Sequence, residues 1–183
     1  MNVLDRRVRR TREALARALL QLAAERPFAD LTIRELTSVA DVGYATFFRH
    51  SQNKEELLLD VLGGIVGELA DLLQPSAEAG RLEDAGRDLF EYVASHATAL
   101  RVLFDAQRRG TLERDLRAAV CARVLASPSF RTPTDVPADL AAHHLAAASL
   151  ALVGWWLDRD MPSPPGVMAT AYARLVVAPT LAP

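Results

Sequence analysis

The stretch LTIRELTSVADVGYATFFRHSQNKEELL, residues 31–58, decides the fold. It begins with a leucine and Thr32, and Glu35 follows three residues after the threonine. This is the capping-box pattern, in which the hydroxyl and the carboxylate each satisfy a backbone N–H that has no partner at a helix start. The pattern predicts a short helix over residues 33–40, followed by a tight turn at residues 41–43.

A second short helix is predicted directly after that turn, over residues 44–50. Its sequence, YATFFRH, combines aromatic and basic side chains, a mixture that is rare both in core segments and in loops. Asn53 then caps a long helix with Glu55 in its first turn, where negative charge suits the helix dipole. We expect that long helix to end near Pro75.

Two short helices joined by a tight turn predict a helix-turn-helix, which inserts its second helix into the major groove of DNA. We expect Val39, Val42 and Phe47 to pack inward and to hold the second helix in place. The side chains left to face DNA are Tyr44, Ala45, Thr46, Phe48, Arg49 and His50.

Four further residues complete the predicted DNA-binding set: Thr32 at the start of the first helix, Arg34 within it, Gly43 in the turn and Lys54 at the start of the long helix. Tyr44 and Thr46 are placed to meet base edges or phosphates. Lys54, like Arg49, is a candidate for a phosphate contact.

The charge distribution supports a polyanion partner for the N-terminal third alone. Residues 1–54 hold ten Arg or Lys and six Asp or Glu, whereas residues 55–183 hold eleven and seventeen, although the net charge is only −2. A basic segment on an acidic body indicates such a partner for that segment. Four of its arginines either reach a minor groove and flanking phosphates or form a solvated helix face, and both alternatives stay open. They are Arg6, Arg7, Arg9 and Arg10.

Helical periodicity dominates the remaining sequence. The first helix has Val8, Leu15, Leu19 and Leu22 on one face, and Pro27 ends it. No stretch alternates in the manner of a strand, so we predict an all-α protein. Further helices are predicted over residues 81–97, 98–108, 111–126, 137–159 and 164–178.

Residues 8–62 resemble the DNA-binding domain of the TetR/AcrR repressors, chiefly in the stretch quoted above. The family pattern is a Thr-led helix, an Ala-Gly-Val turn, a recognition helix ending Thr-Phe-Tyr-x-His-Phe, and a Lys-Glu-x-Leu opening of the next helix. The resemblance implies a three-helix helix-turn-helix DNA-binding domain over residues 1–52, with its motif at 32–51. It also implies an α-helical C-terminal domain for effector binding and dimerisation over residues 53–183. The DNA contacts it implies are Thr32, Tyr44, Thr46, Phe48, His50 and Lys54.

Three departures from the family pattern matter for the recognition helix. Gly43 stands where the family usually has a capping Ser or Thr, so the recognition helix lacks a side-chain cap. Phe48 replaces a Tyr, which removes a hydroxyl, and Ser51 replaces a Phe, which removes an apolar plug below the helix. Together they leave open a second possibility, a scaffold that has lost specific DNA binding and serves as a ligand-binding or protein-interaction module.

The predicted helix over residues 137–159 is apolar nearly all round, so both of its sides must be covered. Pairing it with the last helix gives a four-helix, two-fold dimer interface, which the family resemblance also implies. Such a dimer predicts a pseudo-palindromic operator. The alternative is a core helix that is fully buried in a monomer. The predicted dimer residues are Ala147, Ala151, Gly154, Trp155, Ala171 and Leu175.

An effector site is predicted among the helices between residues 53 and 126. Its lining is mostly apolar, which suggests a hydrophobic or amphipathic small molecule that the polar tips of Tyr92 and His96 orient. The alternative is that these residues simply form the core. The predicted lining is Leu62, Val66, Tyr92, Val93, His96, Leu103, Phe104 and Val120.

Other classes of protein find little support in the sequence. The chain has no catalytic or nucleotide-binding motif, and one cysteine, Cys121, excludes an internal disulfide framework. The adjacent His143 and His144 point about 100° apart on a helix, which disfavours a shared metal. We therefore expect no enzyme activity, no metal and no cofactor. No signal-like N-terminus is present, and the uncharged stretch over residues 141–157 is short for a membrane span, so we expect a cytoplasmic protein.

The expected function is that of a ligand-responsive, sequence-specific DNA-binding regulator. We expect a homodimeric repressor that a small, hydrophobic effector releases from its double-stranded operator. The two DNA-binding domains of such a dimer are its reading heads, one in each subunit. For the effector to act, it must bind more tightly to the dimer whose reading heads are spaced so that they do not fit DNA.

Overall fold

The computed structural model describes residues 3–108 and 112–181. Within these ranges every regular element is helical, which confirms the all-α fold class. The elements are α1 (Val3–Glu25), a 3₁₀ turn (Phe28–Asp30), α2 (Ile33–Val39), α3 (Tyr44–Phe47), α4 (Lys54–Glu78), α5 (Leu82–Ser95), α6 (Ala97–Arg108), α7 (Leu112–Ala126), α8 (Ala138–Asp158), α9 (Pro165–Tyr172), a π-helical turn (Ala173–Val177) and α10 (Ala178–Thr180).

These residues form two compact units. The first consists of the residues up to Leu62 together with the described part of Val102–Leu112, and the second consists of Gly63–Arg101 and the described residues from Glu113 onward. Both α4 and α6 therefore run from one unit into the other. The boundary expected between residues 52 and 53 stays a prediction.

The core of the first unit is built where α1, α2 and α3 meet. Leu15 and Leu19 of α1, Leu36 of α2 and Phe47 of α3 all have 0% of their surface exposed. At about 25 cal/mol per Å² of apolar surface, complete burial of such a side chain contributes roughly 2 kcal/mol. This packing fixes the short α3 helix, which is too short to be stable alone.

Two apolar residues predicted for this core lie at the surface instead. Val8 and Val39 are 37% and 42% exposed. Val8 lies about 10 Å along the helix axis before Leu15, beyond the buried part of the apolar stripe. Around the axis of α2, Thr37 and Val39 lie on opposite sides of the buried Leu36. The Thr37 side faces the core, so Val39 is left at the surface.

The long helix α4 continues past the point where it was expected to end. Pro75 lies inside it, and the helix ends at Glu78. The stop is Gly80, whose φ of +68° is the left-handed conformation that glycine adopts freely. Two backbone hydrogen bonds close this end, from Arg81 N to Ser76 O and from Gly80 N to Ala77 O, in the Schellman arrangement.

In the second unit, α5 packs along α9 at an unusually close approach. A Cβ atom on Gly86 would lie 3.2 Å from the carbonyl oxygen of Ala169 and 3.3 Å from its Cα. Phe90 of α5 contacts Trp156 and Tyr172 edge to face, with ring centroids 5.2 and 6.0 Å apart. These aromatic contacts join α5, α8 and α9 into one core.

The helix α8 is long and apolar enough to cross a membrane by length and composition, with a mean hydropathy of 1.4. In this structure 44% of that apolar window is buried. Its inner face packs against the π-helical turn and α10. The predicted pairing of this helix with the last helical segment is thus present, although that segment is divided by the π-helical turn and extends to Thr180.

Candidate functional site

The start of α2 is held by the predicted capping box. The hydroxyl of Thr32 accepts a hydrogen bond from Glu35 N at 3.3 Å, and Thr32 N donates to the Glu35 carboxylate at 2.9 Å. The same carboxylate pairs with Arg26 at 2.6 Å. Hydrogen bonds from Thr32 and then from Arg26 lower the pKa of Glu35 to about 2. The hydroxyl of Thr32, a predicted DNA contact, is therefore already engaged within the protein.

The turn between α2 and α3 depends on a residue in the left-handed conformation. Asp41 has a φ of +52°, and Val42 N donates to Thr37 O at 2.9 Å. A second bond runs from Asp41 N to Ser38 O at 3.3 Å. This is again a Schellman closure, a position where helices usually carry glycine. It sets the direction in which the chain enters α3.

The recognition helix is shorter than the sequence predicted. Gly43 is its N-cap residue and provides no side-chain cap, and α3 ends at Phe47 rather than at His50. The reason lies in the backbone bonds, because Arg49 N donates to Thr46 O and His50 N donates to Phe47 O. These i to i−3 bonds turn the chain more tightly than an α-helix.

Most of the predicted DNA-contacting residues lie on the outer face of α3 and of the turn that follows it, which we call the reading face. Tyr44 and Phe48 are 50% and 47% exposed, and their rings meet edge to face at 5.3 Å. Phe47, between them and the core, is completely buried and contacts Phe48 at 5.3 Å. Ala45 and Arg49 are exposed, whereas Thr46 and His50 are half-buried. Outside this face, Arg34 and Gly43 are exposed.

His50 belongs to an electropositive cluster that the sequence did not reveal. Burial lowers the pKa of His50, and the charges of Arg12 and Arg49 lower it further. Arg12 lies on α1, so folding brings it close to the end of α3. No local spacing could have indicated this electrostatic effect, because the two residues are far apart along the chain.

Lys54 is engaged with the protein rather than free. Its ammonium group donates to the carbonyl oxygens of Phe28, Ala29 and Leu31 at 3.0, 2.6 and 2.9 Å. It also lies 4.9 Å from the centroid of the Phe28 ring. An ammonium group has three N–H donors, so this arrangement uses all of them. The predicted phosphate contact of Lys54 would require these bonds to break, and it stays a prediction.

Ser51 is buried just behind the reading face. Only 3% of its surface is exposed, and its hydroxyl has no hydrogen-bond partner among the described residues. The resemblance implied a Phe at this position. The structure thus places a polar group where an apolar plug was implied.

The basic N-terminal segment lies on α1, with the predicted arginines exposed to solvent. One of these arginines, Arg9, forms an ion pair with Glu13 at 3.5 Å. The choice between a DNA contact and a solvated face stays open. These residues are Arg6, Arg7, Arg9 and Arg10.

The predicted effector residues are distributed over both units. Leu62 and Phe104 belong to the first unit, and the side chain of Leu103 lies outside the described residues. In the second unit Val93 is buried, whereas Val66 and Val120 are half-buried. The proposed lining as a whole stays a prediction.

Tyr92 and His96 form a polar cluster with Glu68 in the second unit. The rings of Tyr92 and His96 stack with centroids 4.2 Å apart, and the Tyr92 hydroxyl donates to Glu68 at 3.1 Å. Burial and this carboxylate raise the pKa of Tyr92 to about 12. His96 Nδ1 lies 2.9 Å from the carbonyl oxygen of Tyr92. The two polar tips expected to orient an effector therefore lie side by side.

The predicted dimer residues separate into an exposed group and a buried one. Trp155 and Leu175 are 42% and 68% exposed, and Ala151 is exposed as well. Ala147 and Ala171 are half-buried. Gly154, in contrast, is buried within its own unit. The place of Gly154 in a dimer interface, like that of the other five residues, stays a prediction.

Two family models match the chain and together account for both of its halves. Residues 15–61 match the model of bacterial regulatory proteins of the tetR family, which covers the capping box, the Asp41 turn and the recognition helix. Residues 81–177 match a model described as a transcriptional regulator C-terminal region, and this match alone spans more than half of the chain. The chain belongs to the TetR family. Members of the TetR family are transcriptional regulators and not enzymes.

A curated relative supports this assignment to the TetR family. The chain is 31% identical over 180 residues to the uncharacterized HTH-type transcriptional regulator YxbF of Bacillus subtilis (strain 168). The match covers 94% of this chain but 46% of the relative. The chain thus spans about half the length of that protein.

Solved structures of TetR-like regulators share the fold at low sequence identity. The fatty acid degradation regulator FadR from Bacillus halodurans is 14% identical, with a TM-score of 0.68 over 92% of this chain and 95% of that one. Thermus thermophilus FadR, a TetR family repressor in complex with lauroyl-CoA, is 20% identical, with a TM-score of 0.65 over 94% and 96%. At these sequence identities, the structural similarity shows a shared fold and does not show a shared ligand or role.

Proposed function

We propose that this chain is one subunit of a homodimeric TetR-family repressor that binds a pseudo-palindromic operator and leaves it when a small effector binds. One observation carries the proposal. The buried Phe47 anchors a short helix whose outer side presents Tyr44, Ala45 and Phe48 to solvent. A rigid support below an exposed mixture of aromatic and polar groups suits a surface that reads base edges.

Within this reading face the residues have different tasks. Tyr44 and Thr46 offer hydroxyl groups to base edges or phosphates, and the exposed ring of Phe48 offers an apolar contact to a thymine methyl group. Arg49 and His50 lie at the end of the face, where positive or donating groups meet phosphates. Phosphate contacts supply affinity, whereas the base contacts supply specificity.

The reading face is tested by the double variant Tyr44→Ala with Thr46→Ala. We expect it to lose most sequence-specific affinity while keeping salt-dependent, non-specific binding, measured by titration of operator and random duplexes at two salt concentrations. A matched control is Leu72→Ala on α4, which removes an exposed apolar side chain of the second unit. Unchanged operator affinity in the double variant would refute the assignment of α3.

The dimer is supported by apolar side chains that α8 and the last helical segment expose. Leu140 and Trp155 on α8 are 59% and 42% exposed, and Val167 and Leu175 are 57% and 68% exposed. Such residues at helical spacing on neighbouring elements form a face that a second copy can cover. We propose that two subunits bury this face, and that Trp155→Glu with Leu175→Glu gives a monomer in sedimentation.

The effector is proposed to be a hydrophobic or amphipathic small molecule. The support is the stacked pair Tyr92 and His96 beside the buried Val93. Lauroyl-CoA, with an apolar chain and a polar head, is a suitable first probe because a TetR family repressor of similar fold was solved with it. A ligand that binds the folded state raises the unfolding temperature in a concentration-dependent manner. A rise with lauroyl-CoA that Tyr92→Ala reduces, and no rise with coenzyme A alone, is the expected result.

We further propose a cytoplasmic location, no membrane partner and no cofactor, in keeping with a regulator that binds chromosomal DNA. The second candidate function is a helix-turn-helix scaffold without operator binding. It is favoured by Gly43, Phe48 and Ser51, which remove a cap, a hydroxyl and an apolar plug from the reading head. Salt-dependent, sequence-specific DNA binding by the folded dimer distinguishes the two functions.

A further inference from the structure

Lys54, the first residue of α4, holds three carbonyl oxygens of the α1–α2 turn at once. The bonds reach the carbonyl oxygens of Phe28, Ala29 and Leu31 at 3.0, 2.6 and 2.9 Å. Those acceptors precede Lys54 by 26, 25 and 23 residues, so the bonds join segments that are remote in sequence. The ring of Phe28 adds a cation–π contact at 4.9 Å.

This contact ties together the structural supports of the reading head. Leu31, one of the three acceptors, directly precedes Thr32, which is the N-cap of α2. The same Leu31 side chain is 2% exposed and belongs to the core of the first unit. The ammonium group therefore fixes the start of α4 relative to the start of α2, and α2 in turn supports α3 through the Asp41 turn.

We propose that Lys54 is a positioning residue: its ammonium group locks the start of α4 to the α1–α2 turn, and it does not act as a phosphate contact. The proposal rests on the proposed DNA-binding function for its effect on affinity, although the lock itself is a property of the free protein. A lysine used in this way contributes through geometry, because its three donors converge on three carbonyl oxygens. An arginine has a planar fork of donors and does not match that arrangement.

The two roles predict different salt dependences. A lysine that neutralises a phosphate releases counterions, so its removal lowers the slope of log affinity against log salt by about 1 for each contact. A lysine that positions the head changes the affinity and leaves the slope unchanged. The slope therefore separates a positioning role from a direct contact.

The experiment is a titration of operator DNA at four salt concentrations with the full-length protein, its Lys54→Met and Lys54→Arg variants, and Arg49→Met as the matched phosphate-contact control. We expect Lys54→Met to weaken operator binding tenfold or more with a slope parallel to that of the unsubstituted protein, and Lys54→Arg not to restore the affinity. Arg49→Met is expected to give a shallower slope. A shallower slope for Lys54→Met, with affinity restored by Lys54→Arg, would overturn the proposal.

Two further measurements keep the proposal testable. The first, on a Phe28 variant, applies if Lys54→Met folds poorly, and the second, hydrogen exchange, applies if no operator is found. Phe28→Leu removes the ring below the ammonium group from a half-buried position and keeps the charge of Lys54. We expect it to weaken operator binding at unchanged slope, whereas a direct contact predicts no effect.

Amide hydrogen exchange tests the lock without DNA. In Lys54→Arg, exchange at Leu31 N, which donates to Phe28 O at 3.2 Å, should accelerate relative to Leu19 in the middle of α1. Unchanged exchange at Leu31 would refute the lock. Accelerated exchange in a protein with no specific DNA binding would instead refute the proposed function and leave the lock standing.

Discussion

The carboxylate of Glu35 accepts two hydrogen bonds from Thr32, one from its backbone N–H at 2.9 Å and one from its hydroxyl at 2.7 Å. Arg26, which follows α1, reaches the same carboxylate at 2.6 Å. The capping box thus closes the start of α2 and also ties it to the end of α1. Its strength depends on Glu35 being ionised.

Stability is therefore expected to depend on pH through Glu35. Because these hydrogen bonds lower its pKa from 4.5 to about 2, its stabilising contribution is complete above about pH 4.5 and is lost as the pH falls toward 2. Glu35→Gln should destabilise the protein at pH 7, and the difference should shrink over that acidic window. Urea unfolding at a series of pH values measures it, with Glu55→Gln as an exposed control on α4. A difference that persists at the acidic end contradicts the assignment.

Asp41→Gly is expected to stabilise the protein by roughly 0.5–1 kcal/mol. Asp41 has a φ of +52°, which is unfavourable for a residue with a Cβ atom and free of strain for glycine. The matched control is Ser38→Gly inside α2, where glycine should cost about 1 kcal/mol. Thermal unfolding of both variants gives the comparison, and a loss of stability in Asp41→Gly would argue against the Schellman closure.

Ser51→Ala is expected to be neutral or to stabilise the protein by about 1 kcal/mol, because it removes a buried hydroxyl that has no partner among the described residues. Ser149→Ala is the control with the opposite expectation. The Ser149 hydroxyl bonds to Leu145 O at 2.6 Å and to the Tyr172 hydroxyl at 3.0 Å, so its loss should destabilise. Equal effects of the two substitutions in chemical denaturation would contradict the different environments of the hydroxyl groups.

Two glycine substitutions should change stability in opposite directions. Gly86→Ala places a methyl group 3.2 Å from Ala169 O and should cost about 1–3 kcal/mol, since backbone must move. Gly64→Ala meets nothing within 4 Å and should gain about 1 kcal/mol through helix propensity. Calorimetry of the two variants measures the change in unfolding free energy. A destabilised Gly64→Ala would reveal a contact absent from the described residues.

The features that sequence reasoning predicted well are those that depend on neighbouring residues. The capping box and the Asn53 cap involve residues three apart, and Asn53 indeed accepts from Glu56 N at 2.7 Å. Apolar spacing likewise located the buried Leu15, Leu19 and Phe47. Local rules fail where two signals compete: Pro75 predicts the end of α4, but the closing geometry comes from Gly80.

The remaining features depend on contacts made only after folding. The three bonds of Lys54 join separate segments, and the charge of Arg12 on α1 lowers the pKa of His50 at the end of α3. Neither has a signature in local spacing. The burial of Gly154 also depends on tertiary packing, because the same alanine-rich pattern serves an inner or an outer helix face.

The central claim is that a dimer of this chain reads DNA through the face formed by Tyr44, Thr46 and Phe48. The most direct measurement is selection of bound fragments from the genomic DNA of the source organism at two salt concentrations. We predict enrichment of a pseudo-palindrome with half-sites one helical turn or a multiple of it apart, and affinity that falls steeply with salt. No enrichment by a well-folded dimer, even after refolding to remove bound ligand, would contradict the claim.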